Sequence, residues 1–525
     1  MKVLMFGWEF PPHISGGLGT ACYGLTQSLR QHDVEIVLVV PKLHGDEPDM
    51  KFDLIDASHV TLRKENGIMT PSVVSGEALI NFAGKLSAVV AEKHSVMVAR
   101  KPPAFVVSGP EAHLRRPVYT TRETENLTTI EIPSYLSPYV NPAMSVLPKS
   151  MTVSAKRLKQ EATILEMDKK VERRMEMKSE DTYNDKDKAS DNDNPDHHYA
   201  DTDALAQLPE EGSYFYAFSG KYGPDLLEET KHYAEVAAEV ARRHTFDVIH
   251  VHDWMTFPAG LAAKEASGKP LVVHVHSTEF DRSGEIPHAP VFEIEKAGFE
   301  GADSIVAVSG WTKRIVESRY HIAPSKVKVA YNGVMPREIT PLIHGHPFGP
   351  HVVTFLGRLT YQKGPLYFVK AAYQVLEKFP DAHFIVAGSG DMLPQVIEEV
   401  AHLRLSTRFH FTGFLKGDSV EKVWSMTKVY VMPSVSEPFG ITPLEAIQAG
   451  IPVIVSNQSG VSEVMSHVIK VDFWNTHALA NAICNVLAHE SLSTTLRENS
   501  KDEIQHITWS KAAKKIKTIY HELTT

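Results

Sequence analysis

The chain has few cysteines, no long apolar run and no excess of basic residues. Each of these absences argues against a particular class of protein. Cys22 and Cys484 are the only cysteines in 525 residues and lack the spacing of a metal site, so a reducing, cytoplasmic location is expected. No apolar stretch approaches the roughly 20 residues that cross a bilayer, so no transmembrane segment is expected. Acidic residues outnumber basic ones by 64 to 54, which argues against nucleic acid as the main partner.

What the sequence does contain is a series of β-rich runs that alternate with helix-period stretches, the pattern of a parallel, doubly wound sheet. The first series starts at Val3 and continues through DVIHVHDW, which begins at Asp247. The pattern restarts near Val352, after a linker rich in proline, glycine and histidine. A chain of 525 residues is also too long for one core. We therefore predict two α/β domains, at 1–340 and 350–505.

A long segment with little periodicity interrupts the first domain, at about 97–213. Within it, Met167–Asp203 is nearly all charged or polar, and such a composition cannot bury enough apolar surface to fold. The sequence therefore predicts a mobile, charged insertion. His197 and His198 lie beside aspartates and leave a metal-binding alternative open, whereas Val118–Pro148 has the β-branched and aromatic residues of an ordered hairpin.

Two loops between a strand and a helix carry residues suited to anion binding. In HISGGLG, Gly16 and Gly17 would let the backbone approach a phosphate at a helix N-terminus. A tight turn that binds no ligand explains this glycine pair equally well. In LGRLTYQKG, Arg358 and Lys363 are placed to neutralise a diphosphate, and two solvated surface charges are the alternative.

The stretch SEPFGITPLE contains two glutamates around the expected start of a helix. Thr442, Pro443 and Glu445 predict a capping box, with the threonine at the N-cap and the proline at the first helical position. Glu437 precedes this cap and has no local structural role, so its carboxylate is a candidate ligand group. A solvated loop charge remains the alternative for Glu437, and a cap alone remains the alternative for Glu445.

Histidines mark the ends of two predicted strands. His252 and Asp253 end DVIHVHDW at the carboxyl edge of the sheet, where open α/β sheets bind ligands. We expect His252 to serve a ligand and His250, two residues earlier, to be a buried histidine bonded to backbone. His274 and His276 repeat the spacing in LVVHVH. No carboxylate or cysteine completes a convincing set of ligands, so we predict no metal site.

Taken together, these motifs resemble those of retaining glycosyltransferases of family 4 and share features with glycogen and starch synthases. The matching pieces are GGLG, DVIHVHDW, HSTEFDR, DSIVAVSGWTK, VAYNGV, LGRLTYQKG, VAGSG, TGFL and EPFGITPLEAIQAGIPVIVS. They cover roughly 1–45 and 220–466. The resemblance implies a GT-B architecture, in which two Rossmann-like domains with parallel sheets face a deep cleft. It also implies a helix at 506–525 that crosses back to the first domain.

The resemblance assigns four residues to the transfer step. Glu437 corresponds to the glutamate that binds hydroxyls of the donor sugar, and His252 to the histidine near the transferred sugar. Arg358 and Lys363 correspond to the pair that binds the diphosphate.

A second group of residues corresponds to positions that bind the donor nucleotide. Glu445 matches the glutamate that contacts the ribose, and the others would offer backbone N–H groups or close approach to the phosphates. These donor-binding positions are Gly16, Gly17, Gly440, Ile441, Thr442 and Glu445.

The implied reaction transfers a hexose, expected to be glucose from UDP- or ADP-glucose, to a hydroxyl of a carbohydrate acceptor. Synthesis of an α-glucan of the glycogen type is favoured, and no metal or other cofactor is required because cations and helix N-termini stabilise the leaving diphosphate. Bacterial glycogen synthases carry lysine where this chain has Ile14 and usually lack a counterpart of Glu445, so specificity for ADP-glucose is not implied. Alternatives are another sugar, a lipid or cell-envelope acceptor, and a catalytically silent scaffold.

Overall fold

The computed structural model describes residues 1–13, 16–47, 52–63, 213–335 and 347–525. The predicted insertion at 97–213, its hairpin and the linker at 336–346 lie outside the described residues. The elements of the first half are β1 (Lys2–Phe6), α1 (Gly17–Arg30), β2 (Glu35–Val40), β3 (Asp53–Asp56), β4 (Leu62–Arg63), β5 (Ser213–Tyr214), α2 (Leu226–Arg243), β6 (Val248–His252), α3 (Phe257–Ser267), β7 (Leu271–Val275), α4 (Glu279–Ser283), α5 (Ala289–Gly301), β8 (Ser304–Ala307), α6 (Gly310–Arg319) and β9 (Val327–Val329).

The second half begins after the linker and repeats the alternation of strand and helix. Its elements are β10 (Val352–Leu356), α7 (Pro365–Lys378), β11 (His383–Ala387), α8 (Leu393–His402), β12 (Phe409–Gly413), α9 (Asp418–Met426), β13 (Val429–Met432), α10 (Ile441–Gln448), β14 (Val453–Ser456), α11 (Val461–Val464), β15 (Ile469–Val471), α12 (Thr476–Ala488), α13 (Glu490–Ile504) and α14 (Trp509–Thr524). Among the helices of the described ranges, none combines the length and apolar character needed to cross a membrane.

Both halves are built on a parallel sheet. The first sheet has the order β3-β2-β1-β6-β7-β8-β9 and the second the order β12-β11-β10-β13-β14-β15. Val3 pairs with Ile36 on one side and with Val248 on the other, so β1 and β6 are neighbours. In a parallel sheet all the carboxyl ends meet at one edge, which brings the loops after β1 and β6 together. The loops after β10 and β13 are neighbours for the same reason. The predicted fold class is confirmed, whereas the predicted domain boundaries remain predictions.

The last helix of the chain, α14, packs against the first half. Its side chains Trp509, Ala513, Ile516 and Tyr520 are buried in one apolar cluster with residues of β1, β2 and α1. The Lys517 ammonium group also donates a hydrogen bond to the carbonyl of His32 at 2.5 Å. The chain therefore starts and ends in the same apolar core.

The helix after β13 begins earlier than its sequence predicts. Helix α10 starts at Ile441 with Gly440 at the N-cap, and no side chain caps it. The predicted capping box with Thr442 as N-cap is therefore wrong, since Thr442 and Pro443 both lie in the first turn. Gly440 has φ 99°, which L-residues rarely adopt, and this turn lets the chain enter the helix before the threonine. Proline is tolerated in a first turn because its missing N–H would have no partner there.

Candidate active site

The loops after β10 and β13 bring three of the predicted site residues to one sheet edge. Lys363 ends a short 3-10 turn, and its ammonium group donates to Glu437 Oε2 at 2.5 Å. The Ser434 hydroxyl donates to the same oxygen at 3.2 Å. Glu437 is 5% exposed, and its Oε1 atom makes no hydrogen bond to any described residue. The half-buried Arg358 side chain likewise has no hydrogen bond or ion pair within the described ranges.

The start of helix α10 lies directly beside this pair. A Cβ atom added at Gly440 would come within 3.4 Å of Glu437 Cγ, so the glycine and the carboxylate are neighbours. The backbone N–H groups of Ile441 and Thr442 belong to a first helical turn, where no intrahelical acceptor exists. Neither N–H has another acceptor in the described part of the chain. These donors and the positive end of the helix dipole make this a place suited to an anion.

Glu445 lies one turn further along the same helix. Its charge contributes to raising the pKa of the buried Tyr430 hydroxyl, after burial itself and the charge of Glu437. Both glutamates therefore lie close enough to the buried Tyr430 to act on its hydroxyl. Glu445 does not cap α10, because the N-cap is Gly440.

In the first half, Gly16 and Gly17 lie at the start of α1. Gly16 is the N-cap with φ −172°, an extended conformation open to any residue. A Cβ atom added at either position would meet nothing within 4 Å. Neither packing nor backbone conformation requires glycine here, so the small residues keep open space in front of the helix N-terminus.

Four histidines at the ends of β6 and β7 form one cluster of stacked or tilted rings, with His250, His252 and His274 buried and His276 half-buried. His252 Nδ1 lies 2.9 Å from His276 Nε2, and His250 Nδ1 bonds the Tyr520 hydroxyl of α14 at 2.5 Å. The partner of His250 is thus a tyrosine rather than the expected backbone group. Burial lowers the pKa of His250 and His276 to about 3, and His276 adds to the effect at His250. Burial also lowers the pKa of His252 well below its usual range, so these rings are neutral.

The His252 ring is fully buried, and its Nε2 atom has no hydrogen-bond partner among the described residues. Both ring nitrogens of His274 are also buried and without a partner. Such orphaned donors or acceptors are rare in folded proteins. His252 Nε2 is therefore a buried nitrogen without a partner in the described part of the chain, on a ring that has no exposed surface in this structure.

Two sets of these side chains have ligand atoms within 4.8 Å of one another: Cys22 with His252 and His276, and His250 with His252 and His274. The planes of the His250 and His274 rings are nearly parallel, at an interplanar angle of 11°. Imidazole binds a metal through a lone pair in the ring plane, and stacked rings do not direct these lone pairs to one point. The other set includes Cys22, which was not predicted to lie beside the histidines. The stacked rings of the three-histidine set do not resemble a metal centre.

Asp253 is a site residue to which the sequence assigned no role. Its φ of 62° and ψ of 167° fall in a region nearly confined to glycine. Its carboxylate accepts the backbone N–H groups of His276 at 2.7 Å and Ser277 at 3.1 Å. Burial raises the pKa of Asp253 to about 6, against the opposing effects of Arg282 and these two N–H groups. The strained residue ties the end of β6 to the end of β7 and thereby holds His276 against His252.

Two Rossmann-like halves, each built on a parallel sheet, are the architecture of the GT-B class of glycosyltransferases. Comparison with known families agrees. Residues 337–503 match the model "Glycosyl transferases group 1", residues 199–338 match "Glycosyltransferase Family 4", and residues 2–124 match "Starch synthase catalytic domain".

Among individual relatives, the chain is 32% identical over 294 residues to an uncharacterized glycosyltransferase of Methanocaldococcus jannaschii, covering 52% of this chain and 75% of that protein. It is 26% identical to the alpha-maltose-1-phosphate synthase of Mycolicibacterium smegmatis, over 53% of this chain and 79% of that protein. The chain therefore belongs to the group 1 glycosyltransferases of the GT-B type. The solved sucrose-phosphate synthase of Thermosynechococcus elongatus has the same fold, with a TM-score of 0.57 over 99% of this chain and 98% of that one at 15% identity.

Proposed function

We propose that this glycosyltransferase moves glucose from UDP- or ADP-glucose to a hydroxyl of a carbohydrate, with retention of the anomeric configuration. The observation that carries the proposal is the Glu437 carboxylate. One oxygen is held by Lys363 and Ser434, and the other is free beside the open N-terminus of α10. A half-held carboxylate next to an anion site suits a sugar whose anomeric carbon is attached to a diphosphate.

The charges of the site match the charge that develops when the diphosphate leaves. Arg358 has no ion pair among the described residues, so its guanidinium is available to phosphate oxygens. The N–H groups of Gly440, Ile441 and Thr442 would add fixed donors, and the N-terminus of α1 at Gly17 would add a second helix dipole. Lys363 can turn from Glu437 to a phosphate when the donor binds. No metal ion is needed for this stabilisation.

The acceptor hydroxyl attacks from the face of the leaving group, and the departing phosphate oxygen takes its proton. This route keeps the anomeric configuration, so we assign no general base. His252 would lie near the transferred sugar, and Glu445 would contact the ribose. Both roles follow the family resemblance.

An α-glucan is the favoured acceptor. The match of residues 2–124 to a starch synthase domain and the relative named as an alpha-maltose-1-phosphate synthase support this choice. A different sugar, a lipid or cell-envelope acceptor, and a silent scaffold are the alternatives that the test must separate.

The test is a screen of nucleotide sugars against glycogen, maltose and simple sugars, with release of nucleoside diphosphate as the signal. We expect turnover with UDP- or ADP-glucose, an α-linked product by NMR, and full activity in EDTA. Release with another donor only would contradict the choice of glucose. A β-linked product would contradict retention, and no release with any donor would favour the silent scaffold.

A further inference from the structure

The residue before Glu437 is held by the other half of the molecule. The Ser436 hydroxyl donates a hydrogen bond to Asp281 Oδ1 at 2.5 Å and accepts one from Trp311 Nε1 at 2.9 Å. Asp281 lies in α4 and Trp311 in α6, both in the first half. Ser436 is 8% exposed, so these two bonds are shielded from water.

The Asp281 carboxylate is itself fixed. Its Oδ2 atom accepts the backbone N–H and the hydroxyl of Thr278, both at 2.7 Å, in a reciprocal capping box at the start of α4. Asp281 is 1% exposed. Because one carboxylate oxygen is committed to the cap, the other is a fixed acceptor for the serine. The neighbouring Arg282 bridges Glu279 and Glu295, which anchors the short helix further.

The loop around Ser436 is attached to the second half at either side. Val435 donates its N–H to the carbonyl of Gln362 at 2.9 Å, and Glu437 donates its N–H to the carbonyl of Gln458 at 2.9 Å. The Ser436 backbone nitrogen lies 3.5 Å from the same carbonyl oxygen of Gln362, which is long for a hydrogen bond. The second half therefore holds the two flanking residues, and the first half holds the side chain between them.

We propose that Asp281 and Trp311 are positioning residues that set the Glu437 carboxylate for the donor sugar by clamping the Ser436 hydroxyl across the interface. This inference rests on the role of Glu437 in the proposed function. It makes the first half a contributor to donor geometry. The donor carboxylate is then correctly placed only when both halves are in contact.

A second contact across the same interface provides a matched control. Glu463 accepts the backbone N–H of Gly310 at 2.7 Å, an Arg314 nitrogen at 3.1 Å and the Tyr331 hydroxyl at 3.2 Å. Tyr331→Phe removes one interfacial hydrogen bond that does not involve Ser436. Trp311→Phe and Ser436→Ala each remove bonds of the clamp from opposite sides.

The first experiment measures amide hydrogen exchange in the full chain and needs no substrate. We expect Trp311→Phe to speed exchange of the 434–440 segment at least about fivefold, although the substitution lies in the other half. Ser436→Ala should have the same effect, and Tyr331→Phe should leave the segment unchanged. Unchanged exchange in both clamp variants would overturn the proposal. An equal rise in Tyr331→Phe would also overturn it, since it would show general loosening of the interface.

The second experiment separates turnover from binding. Both clamp variants should lower kcat at least about fivefold while the Kd for UDP and for ADP changes less than about twofold, because the nucleotide alone does not use Glu437. The double variant should lose little more than Ser436→Ala, since Ser436→Ala already breaks the bond from Trp311. Additive losses would overturn the clamp. If the wild-type chain shows no turnover with any donor, the proposed function fails, while the exchange result still decides the clamp.

Discussion

At the scale of single residues, Glu437 divides its two oxygens between the protein and an open position. Lys363 and Ser434 both bind Oε2, while Oε1 has no partner among the described residues. The ammonium–carboxylate contact also keeps Lys363 from presenting its full charge to a phosphate. Under the proposed function, Oε1 is the atom left for a sugar hydroxyl, while Oε2 binds the Lys363 ammonium group.

Glu437→Gln should reduce turnover at least about a hundredfold, because a misplaced anomeric carbon lowers the rate by that much. The affinity for UDP or ADP should stay the same or increase, since loss of the carboxylate releases Lys363 toward the diphosphate. Steady-state kinetics and calorimetric titration measure the two effects. Lys363→Met is the companion variant and should weaken nucleotide binding. A parallel loss of nucleotide affinity in Glu437→Gln would contradict this division of roles.

The buried ring of His274, which has no hydrogen-bond partner among the described residues, should make the stability of the fold depend on pH. Burial and the neighbouring histidines lower its pKa well below the usual range. A histidine with a lowered folded pKa destabilises the fold as pH drops below the unfolded pKa of about 6.5, because only the unfolded chain takes up the proton. Between pH 8 and pH 5 the wild type should lose about 2 kcal/mol of its free energy of unfolding through His274, and His274→Leu should be spared this loss.

Urea unfolding at the two pH values measures this difference. Equal pH dependence of the His274 variant and the wild type would contradict the interpretation.

At the scale of elements, the strands were predictable and the turns between them were not. Strands such as β2 and β6 coincide with apolar runs whose period is local and visible. The positive φ angles of Gly440 and Asp253 have no periodic signature, and the capping rule favoured Thr442 because the pattern Thr-Pro-Leu-Glu fits it. The rule failed because a glycine two residues earlier had already turned the chain.

Gly440→Ala tests that turn. The turn would force an alanine into φ 99°, which L-residues rarely adopt. Its Cβ atom would also lie 3.2–3.4 Å from side-chain atoms of Met432, Val461 and Glu437. We expect a loss of about 1–3 kcal/mol in free energy of unfolding, together with weaker binding of UDP or ADP as the N–H groups of α10 shift. Gly16→Ala, where the backbone is extended and the space open, should cost less, because only the N-cap preference for glycine over alanine is lost. Equal stability of the two variants in urea unfolding would contradict the strain argument.

At the scale of the whole molecule, the sequence predicted two parallel sheets but could not show what joins them. The family motifs fall at the ends of the strands. Glu437, Arg358 and Lys363 were predicted as site residues because they lie in loops that precede helices. The contacts between Ser436 and Asp281, and between His250 and Tyr520, join residues 155 and 270 positions apart. No local pattern records such pairs, because each side chain alone resembles an ordinary core or loop residue.

The last helix, α14, packs on the first helix, α1, and Gly24 allows this close contact. A Cβ atom at Gly24 would fall on the indole ring of Trp509, which is 3% exposed. Alanine favours a helix by about 1 kcal/mol over glycine, but overpacking typically costs about 1–3 kcal/mol. The buried ring cannot retreat without moving α14, so we expect Gly24→Ala to lower the free energy of unfolding by about 1–2 kcal/mol.

Urea unfolding of a double-mutant cycle isolates this contact. In a Trp509→Leu background the ring is absent, so Gly24→Ala should become neutral or stabilising. Gly223→Ala, where a Cβ atom meets nothing within 4 Å, should change little in either background. Because α14 follows the second half in sequence and packs on the first, a clash at Gly24 should also lower the cooperativity of unfolding. A Gly24→Ala loss that persists without Trp509 would place the effect within α1 alone and contradict its role in joining the two halves.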